Sequence, residues 1–357
     1  MMSLPRKSAR LIVSAVSRNE ALYELDARRR SARLMCTPVN LYVEITNRCN
    51  LSCRTCGRNY WDKSLNPLGD MSPDTMLKLD PYLKRASWIN VWGYGESLLS
   101  PRFFDLMDKC ARFEGRIQLF SNGTTLTEEN SLRLIEKNLH SLVISLDGAS
   151  ARTIQDARSG VLLEDVVDKI TRLNRLKRSR GVGHPRLSFS FTASMKNIHE
   201  LPDLIRLAAR LDAGTVSAHM ARIFDPSLKQ DSVLNDIPSA MSAFAEAKQV
   251  GRDLGVEVFV QDPAHQGCHQ PFELIFVKWN GDVFGCCASA FHSLPPLQIF
   301  LGNVHETTLP AMWNGEYMGT MRKGLLGQAP LNEICARCPY YRLTFENLQK
   351  YPVQRAG

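Results

Sequence analysis

Three of the chain's ten cysteines fall in one short run, Cys49-Asn50-Leu51-Ser52-Cys53-Arg54-Thr55-Cys56, with the spacing CxxxCxxC. A cubane [4Fe–4S] cluster normally takes four thiolates. Three from one tight loop therefore leave one iron without a protein ligand, and that open iron can chelate the amino and carboxylate groups of a small molecule. Zinc is the alternative. Structural zinc takes four ligands, often as two CxxC pairs, and this loop offers no histidine or carboxylate as a fourth.

A second set lies in the last quarter. Cys268 and Cys286 flank Gly281, and Cys335-Ala336-Arg337-Cys338 is a CxxC pair. Together they supply four thiolates, the complement of a fully ligated cluster or of a structural zinc. Cys287 is a rival for Cys286, either as a buried neighbour or as a hydrogen-atom donor. Only Cys36 and Cys110 stand alone, and both read as small buried hydrophobes.

The elements that must position these cysteines are strands and helices in alternation. Strand-like runs occupy 41–46, 88–91, 117–120, 142–146, 187–193 and 215–219. Helix signals stand between them: Ser72-Pro73-Asp74, with an N-cap and proline at the first position, and Thr127-Glu128-Glu129, with acids in the first turn. Leu201 to Leu211 is apolar at helical spacing. Ser239 to Leu254 places Met241, Phe244 and Ala245 on one face. Such alternation implies a parallel sheet covered by helices. Six units are too few to close an eight-stranded barrel, so the expectation is an α/β fold, a partial (β/α)6 TIM-like barrel. Its chemistry belongs at the C-terminal strand ends, and the first cysteine loop follows the first strand directly.

After about Pro263 the pattern changes. A strand-like run over 272–279, the turn pair Asn280-Gly281 and Asp282 to Phe284 predict a β-hairpin with both turn residues at positive φ. This region reads as a small α+β iron–sulfur domain that a metal site helps to hold. The expected organisation is a helical N-terminal extension at 1–40, the barrel at 41–262, the cluster domain at 263–345 and a tail at 346–357.

Composition bounds the rest. The chain has 357 residues, 44% hydrophobic content and a net charge of +8. No run of 18 apolar residues occurs, so no membrane span is expected. The apolar run at 11–16 is too short for a secretory signal, and the chain reads as cytoplasmic, where ten cysteines point to metal rather than disulfides. Basic residues gather at 28–33 and 172–180. A nucleic-acid-binding metal module is the competing class. The plainer reading of both stretches is a solvated helix face, because no aromatic residues interleave with the charges.

The segment Tyr42 to Cys56, with Glu44, Thr46, Asn47 and Cys49-Asn50-Leu51, resembles the radical S-adenosylmethionine (SAM) superfamily. Further matches follow in order. Gly93-Tyr94-Gly95-Glu96 is similar to the family's Gly-Gly-Glu segment, which receives the methionine ammonium; the resemblance assigns that role to Gly95 and Glu96. Ser121-Asn122-Gly123 and Ser145-Leu146-Asp147-Gly148 fall at strand ends. The resemblance implies SAM contacts from Asn122 and Ser145, and a methionine-carboxylate contact from Arg158. Two departures stand out: Thr55 replaces the aromatic residue often found before the third cysteine, and Tyr94 replaces a glycine. The C-terminal region resembles the SPASM domain, through Leu301-Gly302-Asn303-Val304, Leu309 to Gly315 and the closing CxxC.

This resemblance implies a SAM-cleaving [4Fe–4S] cluster on Cys49, Cys53 and Cys56. It also implies one auxiliary [4Fe–4S] cluster on Cys268, Cys286, Cys335 and Cys338, since no cysteine follows Cys338 to build another. An electron donor such as flavodoxin or ferredoxin reduces the first cluster. The cleaved SAM yields a 5′-deoxyadenosyl radical that abstracts hydrogen from the substrate, with the auxiliary cluster accepting an electron in an oxidoreductase outcome. The expected substrate is a small molecule of sugar, aminocyclitol or nucleoside type in natural-product biosynthesis, because only 48 residues precede Cys49. Crosslinking or epimerisation of a ribosomal peptide is the alternative. His219, His265, His269 and His292 are not assigned to catalysis.

Overall fold

The computed structural model describes residues 14–61, 66–221, 225–260, 268–286 and 299–336. Its centre is a ten-stranded mixed sheet. The six predicted strands form β1 (Asn40–Val43), β3 (Trp88–Val91), β4 (Arg116–Ser121), β5 (Ser141–Ser145), β7 (Arg186–Ala193) and β8 (Ala213–Met220). They pair parallel in that order. Two short segments, β2 (Ser52–Cys53) and β6 (Arg158–Ser159), pair outside the main sheet.

The sequence reading missed one barrel strand. β9 (Glu257–Val260) adds parallel to β8. It is only four residues long and none of them is buried, so it lacks the buried apolar positions that marked the others. The helix before it, Ile237–Leu254, ends on Gly255 at φ 70, a left-handed conformation that glycine adopts without strain.

The strand faces explain the barrel. On β7, Leu187, Phe189 and Phe191 are buried against helices while Ser188, Ser190 and Thr192 face the concave side. The helices form where their caps predict. Ser72 Oγ accepts from Thr75 N–H at 3.0 Å, and Thr127 Oγ1 from Asn130 N–H at 3.1 Å. The face of Ile237–Leu254 differs from expectation. Ala240, Phe244, Ala247 and Gly251 are buried, whereas Met241 is 38% exposed and Ala245 is exposed as well. The 3.6-residue period passes through Phe244, and Met241 lies about 100° off that stripe. The basic segment 172–180 lies in the helix Leu163–Ser179, whose buried face is Leu163, Val166, Ile170 and Leu173.

The C-terminal hairpin joins the barrel sheet directly. β10 (Leu274–Val277) pairs parallel with β1, then β11 (Asp282–Phe284) and β12 (Phe300–Asn303) continue antiparallel. Residues 270–273 are helical rather than extended. The turn also differs from the expected two-residue form. Lys278 and Asp282 close it, and of the pair only Gly281 has positive φ, at 90°. A three-residue loop ending in a left-handed glycine needs just one such residue. Asn280 instead accepts from Asp282 N–H through its side chain, at 3.2 Å.

The N-terminal segment packs through the helix Ala15–Arg29. Its Asp26 accepts from the amides of Met35 and Cys36, at 2.7 and 2.9 Å. Cys36 and Cys110 are both buried, as expected of lone cysteines. Among the described residues no helix is long and apolar enough to cross a membrane.

Candidate metal centre

The cysteine loop begins where β1 ends, and its exit angle is fixed by two polar side chains. Thr46 Oγ1 donates to Gly69 O at 3.0 Å and accepts from Arg48 N–H at 3.1 Å. Asn47 bridges Pro67 O and Gly69 N–H, both at 2.8 Å. Downstream, β2 pairs antiparallel with β6, so that Cys53 lies opposite Arg158. Arg54 N–H adds a bond to Ala157 O at 3.0 Å. The loop is thereby stapled to a segment more than a hundred residues further along the chain.

Polar groups surround the sulfurs. Asn122 Nδ2 lies 3.9 Å from Cys49 Sγ and 3.0 Å from Asn50 Oδ1. An Arg158 terminal nitrogen lies 3.9 Å from Cys53 Sγ, while its Nε lies 2.8 Å from Asp147. Burial raises all three thiols, that of Cys53 to about 11. Thiolates on iron would recover that cost and meet Arg158 as a cationic neighbour. A cubane binds its thiolates on separate irons, and three from one loop leave its fourth iron open. The donor set fits a [4Fe–4S] cluster.

The remaining predicted residues gather at the same strand ends. At Gly95 an added Cβ would meet Thr46 O at 2.2 Å, so only glycine allows this segment to press against the loop. Glu96 is buried. It accepts from Ser121 Oγ and Thr125 Oγ1, both at 2.9 Å, and from Asn122 N–H at 2.7 Å. These donors are its own neighbours, so Glu96 shapes the Ser121-Asn122-Gly123 turn. Ser145 ends β5, half-buried opposite Ser190 of β7.

Three further residues carry the site without having been assigned a role in it. Asp147 accepts from Thr192 N–H at 2.7 Å besides its pairing with Arg158. Asp231, 2% exposed, pairs with Arg54 at 2.8 Å. Both line a cavity of about 200 Å³ beside Thr55, with Thr192 and Ser194. Glu44 is buried at the end of β1 and accepts from Tyr94 N–H at 2.9 Å. Burial raises it to about 7, against the opposing effects of Lys278 and of the Tyr94 and Trp279 amides. Asp147 lies in a segment the sequence did mark. Asp231 had no local signal, because its partner Arg54 is 177 residues away.

Of the second cysteine set, Cys268 precedes the helix Gln270–Glu273, Cys286 follows β11 and Cys335 lies in the helix Glu333–Ala336. Cys286 Sγ lies 3.2 Å from Gln270 Oε1. Cys286 is buried in the core, and Cys335 packs against it. Cys287 and Cys338 lie outside the described residues, as do His265 and His292. An aromatic cluster of Trp61, Tyr94, Phe276 and Phe284, with Cys56 packed on it, fills the space between the first loop and the hairpin.

Comparison with known proteins agrees with this layout. Residues 43–208 match the radical SAM superfamily, and residues 268–339 match the SPASM iron–sulfur cluster-binding domain. The chain is 24% identical over 294 residues to the tungsten-containing aldehyde ferredoxin oxidoreductase cofactor-modifying protein of Pyrococcus furiosus, covering 77% of this chain and 81% of that protein. It is 24% identical over 307 residues to the PqqA peptide cyclase of Gluconobacter oxydans, covering 80% and 79%. The crystal structure of Streptococcus suis SuiB bound to precursor peptide SuiA superposes with a TM-score of 0.63 at 13% identity, covering 94% of this chain and 77% of that one.

Proposed function

Because this chain belongs to the radical SAM superfamily and carries a SPASM iron–sulfur cluster-binding domain, we propose that it modifies a ribosomally made peptide by crosslinking or epimerisation. Its cofactors are a [4Fe–4S] cluster, SAM and an auxiliary cluster. When bound, they supply a 5′-deoxyadenosyl radical able to take hydrogen from an unactivated carbon.

In this reading Cys49, Cys53 and Cys56 hold the first cluster, and Cys268, Cys286, Cys335 and Cys338 hold the auxiliary one. Gly95 lets the backbone approach SAM. Glu96 fixes the turn that presents Asn122, and Ser145 and Arg158 complete the SAM contacts. The barrel wall excludes water from the reacting carbon. An external one-electron donor such as flavodoxin or ferredoxin starts each cycle.

The observation that carries the peptide reading is similarity to a peptide-acting protein, the PqqA peptide cyclase, across most of the chain. It supports the peptide over the sugar, aminocyclitol or nucleoside expected from the sequence. A small-molecule substrate has in its favour the similarity to the cofactor-modifying protein. The test is anaerobic turnover with SAM, dithionite and a candidate ribosomal precursor peptide, deuterated at candidate carbons. Deuterium in 5′-deoxyadenosine and a matching mass change in the peptide support the proposal. SAM cleavage with an unaltered peptide contradicts it.

A further inference from the structure

The concave face of the barrel is not packed in the usual way. Complete barrels fill their interior with layers of bulky branched side chains. Here the inward positions include Ser141, Ser188, Ser190, Thr215 and Ser217, and they leave a cavity of about 640 Å³. That volume lies in the range of ligand sites. It occupies the half of the barrel opposite the cysteine loop.

Its mouth, at the N-terminal strand ends, is cationic. Strand register sets Arg116 beside Trp88, and Arg186 beside Ser141. Arg116 stacks over Trp88 at 5.5 Å, and Trp88 meets the His140 ring edge-on at 5.2 Å. Among the described residues, neither Arg116 nor Arg186 lies within 4.0 Å of a carboxylate. The acid at this mouth, Asp212, is paired with Arg178 at 3.1 Å. Burial, and then the guanidinium groups of Arg116 and Arg186, hold His140 below its ordinary value. Two unpaired guanidinium forks at the mouth of a cavity lined by hydroxyls together with Phe120, Val143 and Phe259 suit a carboxylate.

The inward face of β7 runs on from this cavity toward the cysteine loop. Ser188 and Ser190 of β7 line it, and the next inward positions, Thr192 and Ser194, line the smaller cavity beside Thr55. At about 3.3 Å per residue, Arg186 to Thr192 spans about 20 Å. A ligand anchored at Arg116 and Arg186 must be that long to reach the cysteine loop. An extended peptide of about six residues has that length.

We propose that the barrel lumen seats an extended peptide segment of about six residues, with a carboxylate held by Arg116 and Arg186 at the N-terminal strand ends. This rests on the peptide reading above and names the substrate's chemistry: a short stretch ending in a free C-terminus or an acidic side chain, small and polar enough to lie along serine and threonine hydroxyls.

The test is calorimetric binding to the reconstituted enzyme without SAM or reductant, so that failure to modify any peptide leaves the result readable. The probes are the hexapeptide Gly-Ser-Gly-Ser-Gly-Ser with a free C-terminus, the same peptide as its C-terminal amide, and inorganic phosphate. We expect the acid to bind at least about tenfold tighter than the amide. Arg116→Gln with Arg186→Gln should erase that difference, while Arg206→Gln, which pairs with exposed Asp203, should keep it. Ser217→Leu, which narrows the lumen, should weaken the peptide acid but not phosphate. Equal binding of acid and amide, no saturable binding up to about 10 mM, or an unchanged preference in the double arginine variant would overturn the proposal. Phosphate binding without peptide binding would overturn the peptide as occupant.

Discussion

Arg158 Nε lies 2.8 Å from a carboxylate oxygen of Asp147, and a terminal nitrogen of the same guanidinium lies 3.9 Å from the sulfur of Cys53. Their side chains are 12% and 4% exposed. Burial works against the charge on Arg158, but Asp147 and then Cys53 outweigh it and keep the group protonated. One cation thus ties the end of β5 to the cysteine loop.

Breaking that pair leaves a buried charge alone. Arg158→Met should cost about 3–5 kcal/mol of unfolding free energy. Asp147→Asn keeps a side chain able to accept from Thr192 N–H and should cost less. The double variant should recover about 1 kcal/mol or more relative to the sum, the coupling of residues in direct contact. Denaturant titrations of the four proteins measure this, and additive losses would remove the pair from the account.

Gly95 and Gly183 make a contrast. An added Cβ at Gly95 meets Thr46 O at 2.2 Å and Arg48 O at 2.8 Å, both backbone atoms, while at Gly183 nothing lies within 4 Å. Gly95→Ala should destabilise the fold by about 2 kcal/mol or more and weaken SAM binding measured by equilibrium dialysis. Gly183→Ala should change stability by less than about 1 kcal/mol. Equal effects would mean that the close approach at Gly95 is not required.

Glu44 gives a pH dependence with a definite sign. Burial lifts its folded-state value from 4.5 to about 7. Between those values the folded protein holds a proton that the unfolded chain has released. Its contribution to stability is therefore full below pH 4.5 and is lost as pH rises toward 7, at up to about 1.4 kcal/mol per unit. Burial lowers Lys278, against the opposing effects of Glu44 and Asp282. Glu44→Gln should flatten the slope between pH 5 and 7 in denaturant titrations. An unchanged slope would assign it to other groups.

Much of this was legible in sequence for definable reasons. β1, β3, β4, β5, β7 and β8 carry buried apolar positions, continuous or alternating, and Ser72 and Thr127 announce their helices by local hydrogen bonds, so each could be read without tertiary context. The cysteine loop was legible because its ligands are close in sequence. What escaped was long-range or short. β9 has four residues, none of them buried. Met241 was assigned to a buried face one position out of phase. The Arg54–Asp231 pair joins residues 177 apart, and the turn at Gly281 depends on a three-residue geometry that the Asn-Gly pair alone does not specify.

The central claim is that two cysteine sets hold two independent clusters. Iron per chain, counted after anaerobic reconstitution in wild type and in a Cys49→Ala, Cys53→Ala, Cys56→Ala variant, tests it most directly. Two cubanes predict about eight irons falling to about four. About four falling to none would contradict the auxiliary cluster, and zinc in place of iron in both proteins would contradict the account as a whole.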